Sequence, residues 1–499
     1  MKRLTTTLLV LSVGTSSLLV FPGVSPASAA PPPSSGSTTR ECSLPTSGYG
    51  EMFAELPDHT WSTDDLRSLA DAMIAPVDEP SVPDPEDNPA IPAMYTYFGQ
   101  FIDHDITFDD RPNDLVTPTR PSDLVNARTP RLDLDSLYGS GPTASPTLYS
   151  PDGMHLLTGS PLTGSGDTGA LDLPRDAGGS ALIGDPRNDE NRIVAGIHSL
   201  FIRFHNRTVD RVKSRNRRLT NAQVFERARR EVVASYQWMV LTDYLPQIAG
   251  SRTVDDVVRR TGSRWRTNLR FYDSCDRMPI EFSVAAYRFG HSQVRATYRV
   301  NASVDPLPVF SGTFVPGSDL GGFSPSPSNL AIDWSLFLPT RPGTNGTAQS
   351  SYKIDGSLTH SLSLLPLPTT GVGPANLALR NLLRGQQLGL ATGQDVARAM
   401  GVTPLPDDRI LIGAATGDPN DQRTLVSISS SFAGSAPLWV YVLAEAAANP
   451  QVNRLGPVGG RLVVETIVGL MASDPGSVIS RGGSRPPVDG LRGLVRAVV

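Results

Sequence analysis

Five short stretches of the chain combine residue types that do chemistry. In Tyr97-Phe98-Gly99-Gln100-Phe101-Ile102-Asp103-His104-Asp105 a histidine stands between two carboxylates. Imidazole exchanges protons near neutral pH, so His104 is a candidate acid/base, and its flanking acids suit a cation or an electrophile. In a helix, Tyr97, Gln100, Phe101 and His104 share one face, at i, i+3, i+4 and i+7; a surface turn has the same residues. Gly184-Asp185-Pro186-Arg187-Asn188-Asp189-Glu190-Asn191 sets Arg187 three residues before Glu190. The two can address one site, although acids in a first helical turn are also what the helix dipole favours. In Ala286-Tyr287-Arg288-Phe289-Gly290-His291 the glycine leaves room for a large group at the imidazole. Neutral imidazole is a common haem or metal ligand, and a hydrogen-bonded core histidine reads the same way. Asn381 and Arg384 again lie three apart. An asparagine can orient a ligand histidine and an arginine can clamp a carboxylate, but a solvated helix face has this spacing too. Finally, Thr129, the Arg131 carbonyl, Asp133 and Asp135 offer oxygens at alternate positions. That suits a hard cation such as calcium, without the glycine and glutamate of an EF-hand, and an alternating short strand explains it nearly as well.

The other histidines carry less. His198 and His205 lie seven apart and are expected to pack and hydrogen-bond rather than share a metal. His59, His155 and His360 sit in loop contexts without sequence-local partners. Gly-x-Ser-x-Gly, P-loop and His-Glu-x-x-His motifs are missing, which removes serine-hydrolase, P-loop nucleotide and zincin readings.

These residues need elements to hold them. Apolar residues at helical spacing predict long helices over 190–213 and 220–248, and shorter ones over 374–388, 393–400, 435–448 and 460–471. Ser62 or Thr63 before Asp64-Asp65 reads as a helix N-cap. Strand patterns are scarce and short, as at 297–300. With 45 Gly and 44 Pro in 499 residues and 39% hydrophobic content, the expectation is a mainly α protein. One large helical domain with long loops and few short strands is expected over 51–499. A net charge of −5 gives no nucleic-acid footprint. Lys2 and Arg3, an apolar run from Leu8 to Phe21 and Ala27-Ser28-Ala29 have the three-part layout of a secretory signal peptide over 1–30. A Pro/Ser/Gly-rich disordered leader follows over 31–50. The expected mature protein is secreted and has no membrane span. The two cysteines, Cys42 and Cys275, can pair in an oxidising compartment or stay as thiols.

Taken in order, the motifs Gly-Gln-x-x-Asp-His-Asp, Asp-x-Arg-x-x-Glu, Arg-Phe-Gly-His and Asn-x-x-Arg resemble those of the animal-type haem peroxidases. This is the family of myeloperoxidase, lactoperoxidase and peroxidasin, which also has secreted bacterial members. The resemblance runs from about Met94 to Met400. It implies His104 as distal acid/base, Gln100 as its polar neighbour and Arg187 as the distal arginine. His291 becomes the proximal iron ligand, with Asn381 accepting its other ring N–H and Arg384 binding a haem propionate. Asp103 and Glu190 match the carboxylates that form ester bonds to haem b. Asp105, Thr129, Arg131 (carbonyl), Asp133 and Asp135 match the calcium site. Asn191 replaces the methionine that forms a sulfonium link in myeloperoxidase, so that link is not expected. Gln386-Gln387-Leu388 replaces the usual Arg-Asp-His.

The resemblance implies a secreted enzyme that reduces hydrogen peroxide and oxidises a halide, a phenol or another small donor. Two alternatives stay open at this point. One is a haem-dependent fatty-acid dioxygenase on the same scaffold, with Tyr287 or Tyr298 as radical residue. The other is a catalytically inactive, calcium-stabilised secreted binding protein.

Overall fold

The computed structural model describes residues 48–77, 84–109, 115–272, 277–312, 317–339, 348–365, 374–449 and 452–499. The expected signal peptide and nearly all of the leader, with Cys42 and Cys275, lie outside the described residues. The principal helices are α1 (Thr63–Met73), α2 (Ala93–Ile106), α3 (Arg192–Arg215), α4 (Asn221–Met239), α5 (Leu377–Gln387), α6 (Leu438–Ala447), α7 (Pro457–Ser473) and α8 (Leu491–Val498). The fold is mainly helical, as the composition and periodicity predict.

Local chemistry sets the helix ends. The Ser62 hydroxyl accepts from the Asp65 amide and starts α1. Thr220 and Gln223 form a reciprocal capping box on α4. Asn191 caps α3 by accepting from the Ile193 and Val194 amides at 3.1 and 2.9 Å. This start is two residues later than the sequence suggests, because a 3-10 turn, Pro186–Asp189, precedes it. The predicted 220–248 helix runs on past α4 as a π turn, Val240–Tyr244, and a last α turn, Leu245–Ala249.

Strands occur among the described residues as two-stranded pairs. Tyr49–Gly50 lies parallel to Met278–Pro279. Antiparallel pairs join Asp87–Pro92 with Ser350–Tyr352, Val258–Thr261 with Arg264–Thr267, and Leu411–Gly413 with Gln422–Thr424. The strand expected at 297–300 is reduced to a bridge between Tyr298 and Leu307.

Two helical layers position the site. α2 packs on α3 and α3 on α4 through an aromatic cluster in which Phe101 and Phe201 stack at 4.9 Å and Tyr236 stands edge-on to both. Offset and edge-on pairs of this kind add about 0.5–1.5 kcal/mol each to the burial of the rings. α6 and α7 are buried on nearly every side, so they lack the one-sided stripe of a surface helix. They pack against the segment that carries His291, a π turn (Glu281–Ala285) followed by a 3-10 turn (Ala286–His291). Gly99 lets α2 approach its neighbour: a Cβ there would lie 2.5 Å from the Tyr244 hydroxyl. No helix among the described residues is long and apolar enough to cross a membrane.

Candidate active site

A cavity of about 500 Å³ opens between these layers, within the usual range for small-molecule and cofactor sites. His104, Gln100 and Asp103 line it from α2, Arg187 and Glu190 from the turn before α3, Arg288 and His291 from the 3-10 turn, and Arg384 from α5. The eight residues come from four separate parts of the chain. Asn381 stands behind this wall and touches His291. The α2 face differs in one respect from the i, i+3, i+4, i+7 reading. Phe101 turns into the aromatic cluster, and Thr96, Gly99 and Asp103 stand beside Gln100 and His104 at the cavity.

His104 is fully buried, and its Nδ1 lies 3.0 Å from Asn188 Oδ1. Burial pushes its pKa down to about 3, and the nearby Arg187 cation adds to the effect. The ring is therefore neutral at ordinary pH. Its Nε2 takes no hydrogen bond from a described residue, so it remains available to the cavity.

Arg187 is tightly held. Its Nε and Nη2 donate to Asp185 at 3.1 and 2.8 Å, and Nη2 also donates to the Thr107 and His104 carbonyls at 2.5 and 3.2 Å. The guanidinium lies over the Phe108 ring at 4.4 Å. Nη1 takes no bond among the described residues, which leaves one NH2 for the cavity. Asp185 caps the Pro186–Asp189 turn as well. Burial works against its charge, but the Arg187 bond outweighs that and holds the carboxyl below its usual range.

Gln100 donates to Glu190 Oε1 at 2.9 Å and accepts from Asn191 Nδ2 at 3.0 Å. One asparagine thus starts α3 and fixes the Gln100 amide. Burial raises Glu190 to about 7, and raises Asp103 as well. Asp103 accepts from the Thr107 hydroxyl at 3.1 Å.

The His291 wall differs in detail from the expectation. Arg288 Nη1 donates to Asn381 Oδ1 at 2.6 Å, and Asn381 Nδ2 lies 2.8 Å from His291 Nδ1. A guanidinium can only donate, so it claims the amide oxygen. The NH2 is therefore turned to the imidazole, where an acceptor was expected. His291 is half-buried, and desolvation, then Arg288, push its pKa down to about 3; its Nε2 has no described partner. Arg384 lines the cavity but is paired with Asp109 and donates to Gln387 Oε1 at 2.6 Å. Of the two tyrosines considered as radical residues, Tyr287 lines the cavity and Tyr298 does not.

Behind His104, Asp105, Asp133 and Asp135 bring carboxylate oxygens within 4.8 Å of one another. Asp105 accepts from the Leu134 amide and the Ser136 hydroxyl, at 3.2 and 3.0 Å. Thr129 donates through its hydroxyl to Asp133 at 2.7 Å and through its amide to Asp135 at 3.0 Å. The Arg131 carbonyl accepts weakly from Gln237 at 3.4 Å. Burial raises all three carboxyls, Asp135 to about 6. The segment is not a strand. Leu132 and Leu134 have φ of 53° and 60°, a left-handed conformation that costs a non-glycine residue about 1–3 kcal/mol.

Sequence reasoning missed Asp185, Asn188, His198, Arg288 and Asp109 as parts of this site. His155, read as lacking a local partner, pairs with Asp152 Oδ2 at 2.6 Å. His205 is held by Tyr138 and the Met154 carbonyl. Asp185 carried one usable signal, an acid two residues before a candidate arginine; Asn188 and Arg288 stand inside the quoted segments, but the contacts that give them a role reach to other segments.

Residues 112–311 match the family model described as animal haem peroxidase. That part of the chain is similar to the animal haem peroxidase domain. The matched residues of this domain include Arg187, Glu190 and His291; His104 precedes them, and Asn381 and Arg384 follow. Among known proteins, the probable oxidoreductase PXDNL of Homo sapiens is 29% identical over 237 residues, 43% of this chain and 16% of that protein. The chain spans less than half the length of the curated relatives it matches. Peroxidase A from Dictyostelium discoideum has the same fold, with a TM-score of 0.65 at 17% identity over 92% of this chain and 94% of that one. Fatty acid alpha-dioxygenase of Arabidopsis thaliana gives 0.59 at 15% identity over 89% of this chain and 74% of that one.

Proposed function

We propose that the chain is a haem peroxidase that reduces hydrogen peroxide and oxidises a halide, a phenol or another small donor. The observation that carries this is the pair His104 and His291. They come from different parts of the chain, line one cavity, and each leaves Nε2 without a partner among the described residues. The donor set fits haem: an imidazole for iron at His291, arginines at 288 and 384 for propionates, and carboxylates at 103 and 190 for ester bonds. Haem supplies the redox-active iron at which peroxide is reduced.

The side chains do the rest. His104 Nε2 takes a proton from peroxide and returns it to the oxygen that leaves as water, acting as base and then acid. Its depressed pKa leaves that nitrogen unprotonated at neutral pH. Arg187, fixed by Asp185 and two carbonyls, holds positive charge where negative charge develops on the separating oxygens. Gln100 and Glu190 line the approach on the same wall. For His291 to bind iron through Nε2, its proton must reside on Nδ1. Asn381 then serves as acceptor once its amide turns and Arg288 leaves Oδ1 for an anionic partner.

Calcium is proposed at Asp105, Asp133, Asp135, Thr129 and the Arg131 carbonyl, supported by the carboxylate cluster and the strained loop around it. A divalent ion there offsets two of the three charges of the crowded acids and fixes the end of α2 beside His104. Export is proposed from the Lys2-Arg3 start, apolar run and small-residue cleavage site. The likeness to the dioxygenase concerns the fold and does not favour lipid as substrate. His291→Ala is expected to lose the haem absorbance. His104→Ala should keep it while peroxide reacts at least about 100-fold more slowly in stopped flow. Haem binding unchanged without His291, or an unchanged peroxide rate without His104, overturns the reading.

A further inference from the structure

We propose that Asn188 and His198 form a buried positioning relay that sets the tautomer of His104; the inference rests on the peroxidase reading for its functional consequence. Asn188 lies between two imidazoles. Its Oδ1 is 3.0 Å from His104 Nδ1 and its Nδ2 is 3.1 Å from His198 Nδ1. All three side chains are buried.

An amide has one accepting and one donating end. Placed between two Nδ1 atoms, it forces the rings into opposite tautomers. The ring facing Oδ1 must carry its proton on Nδ1, and the ring facing Nδ2 must accept there and carry its proton on Nε2. With Oδ1 on His104, the His104 lone pair is left on Nε2, at the cavity. The same Nδ1–H bond persists when Nε2 gains a proton, so His104 can cycle without releasing its support. The other end of the relay is buried: His198 Nε2 has no partner among the described residues, and Phe101 stands edge-on to its ring. His198 is thus occupied by orienting Asn188 and does not reach the cavity.

The backbone fixes the relay. Asn188 belongs to the Pro186–Asp189 turn, with its amide donating to the Asp185 carbonyl at 3.1 Å. The His104 carbonyl is held by Arg187. With its carbonyl end and Nδ1 both held, the His104 ring can offer only Nε2 to a reactant. Asn188 touches no substrate in this account; it acts through His104.

The test uses the full haem-loaded chain labelled with ¹⁵N-histidine, in the diamagnetic ferrous carbonyl form, with the His104 and His198 signals assigned by loss in His104→Gln and His198→Phe. The wild type should show His104 protonated on Nδ1 and His198 on Nε2. Asn188→Asp replaces the amide with a group that only accepts, so His198 should switch its proton to Nδ1 while His104 keeps Nδ1–H. Asn188→Leu removes both partners. It should lose the fixed His104 tautomer and slow the peroxide reaction on the order of 100-fold with haem absorbance retained, and Asn188→Asp should restore most of that rate. A role confined to packing would move the melting temperature but not these tautomers. His104 protonated on Nε2 in the wild type, or His198 unchanged in Asn188→Asp, overturns the proposal. The expected tautomers in a chain that does not react with peroxide would overturn the peroxidase reading and leave the relay standing.

Discussion

Replacing Asp185 with alanine tests how the cavity keeps its arginine in place. Asp185 is fully buried, accepts from Arg187 through Nε, Nη2 and the backbone amide, and lies 3.6 Å from Arg128. Breaking a buried ion pair from one side typically costs about 3–5 kcal/mol. Arg187 keeps two carbonyl acceptors and the Phe108 ring, and its side chain is 23% exposed, so the lower end applies. Asp185→Ala should lose about 3 kcal/mol, roughly 100-fold in the folding equilibrium. Asp185→Asn keeps an acceptor and the cap but not the charge, and should lose about 1.5–3 kcal/mol. Because Arg187 is then held only by the two carbonyls and the Phe108 ring, Asp185→Ala should also slow the peroxide reaction, by up to about 100-fold, the cost of one preorganised donor. Urea denaturation and stopped-flow mixing with peroxide measure the two effects. An alanine variant with the wild-type urea midpoint and the wild-type rate refutes the argument that Asp185 organises Arg187.

Three further outcomes follow from the same geometry. Calcium must displace protons from carboxyls that burial has raised, Asp135 to about 6. The ion should therefore raise the melting temperature clearly at pH 7.5 and much less at pH 5; equal shifts in scanning calorimetry would count against the site. Glu190→Gln removes one of the two proposed ester carboxylates, so acid-acetone should extract more haem from it than from the wild type, whereas equal extraction would show that Glu190 carries no link. Phe101→Ala should cost about 3–5 kcal/mol in urea unfolding, since the ring is fully buried and stacked on Phe201; a loss under 1 kcal/mol would mean the cluster collapses around the gap.

Much of this protein is written locally. Helices with a one-sided stripe or a polar cap, such as α1, α3 and α5, are readable from spacing because burial and capping act over three or four residues. The chemistry-bearing residues are readable for a similar reason: His104 between two acids, Arg187 three before Glu190 and His291 after a glycine are short-range patterns. Three features are not. The facing of α6 and α7 is one: the helices themselves are readable over 435–448 and 460–471, but with burial all round no one-sided stripe marks which neighbour each side meets. The shift from α to π and 3-10 geometry before His291 depends on packing against those helices. The partners of the site residues are the third. That Asn188 would lie between His104 and His198, that Arg288 would claim the Asn381 oxygen, and that Arg384 would find Asp109 depend on contacts between segments ten to nearly three hundred residues apart. A hydrogen bond is decided by angles and distances of a few tenths of an ångström, and sequence spacing fixes those only within one turn of one element. Residue type and order therefore determined which groups stand ready to react. The tertiary structure decided which way each one faces, because only the packed chain brings donor and acceptor together.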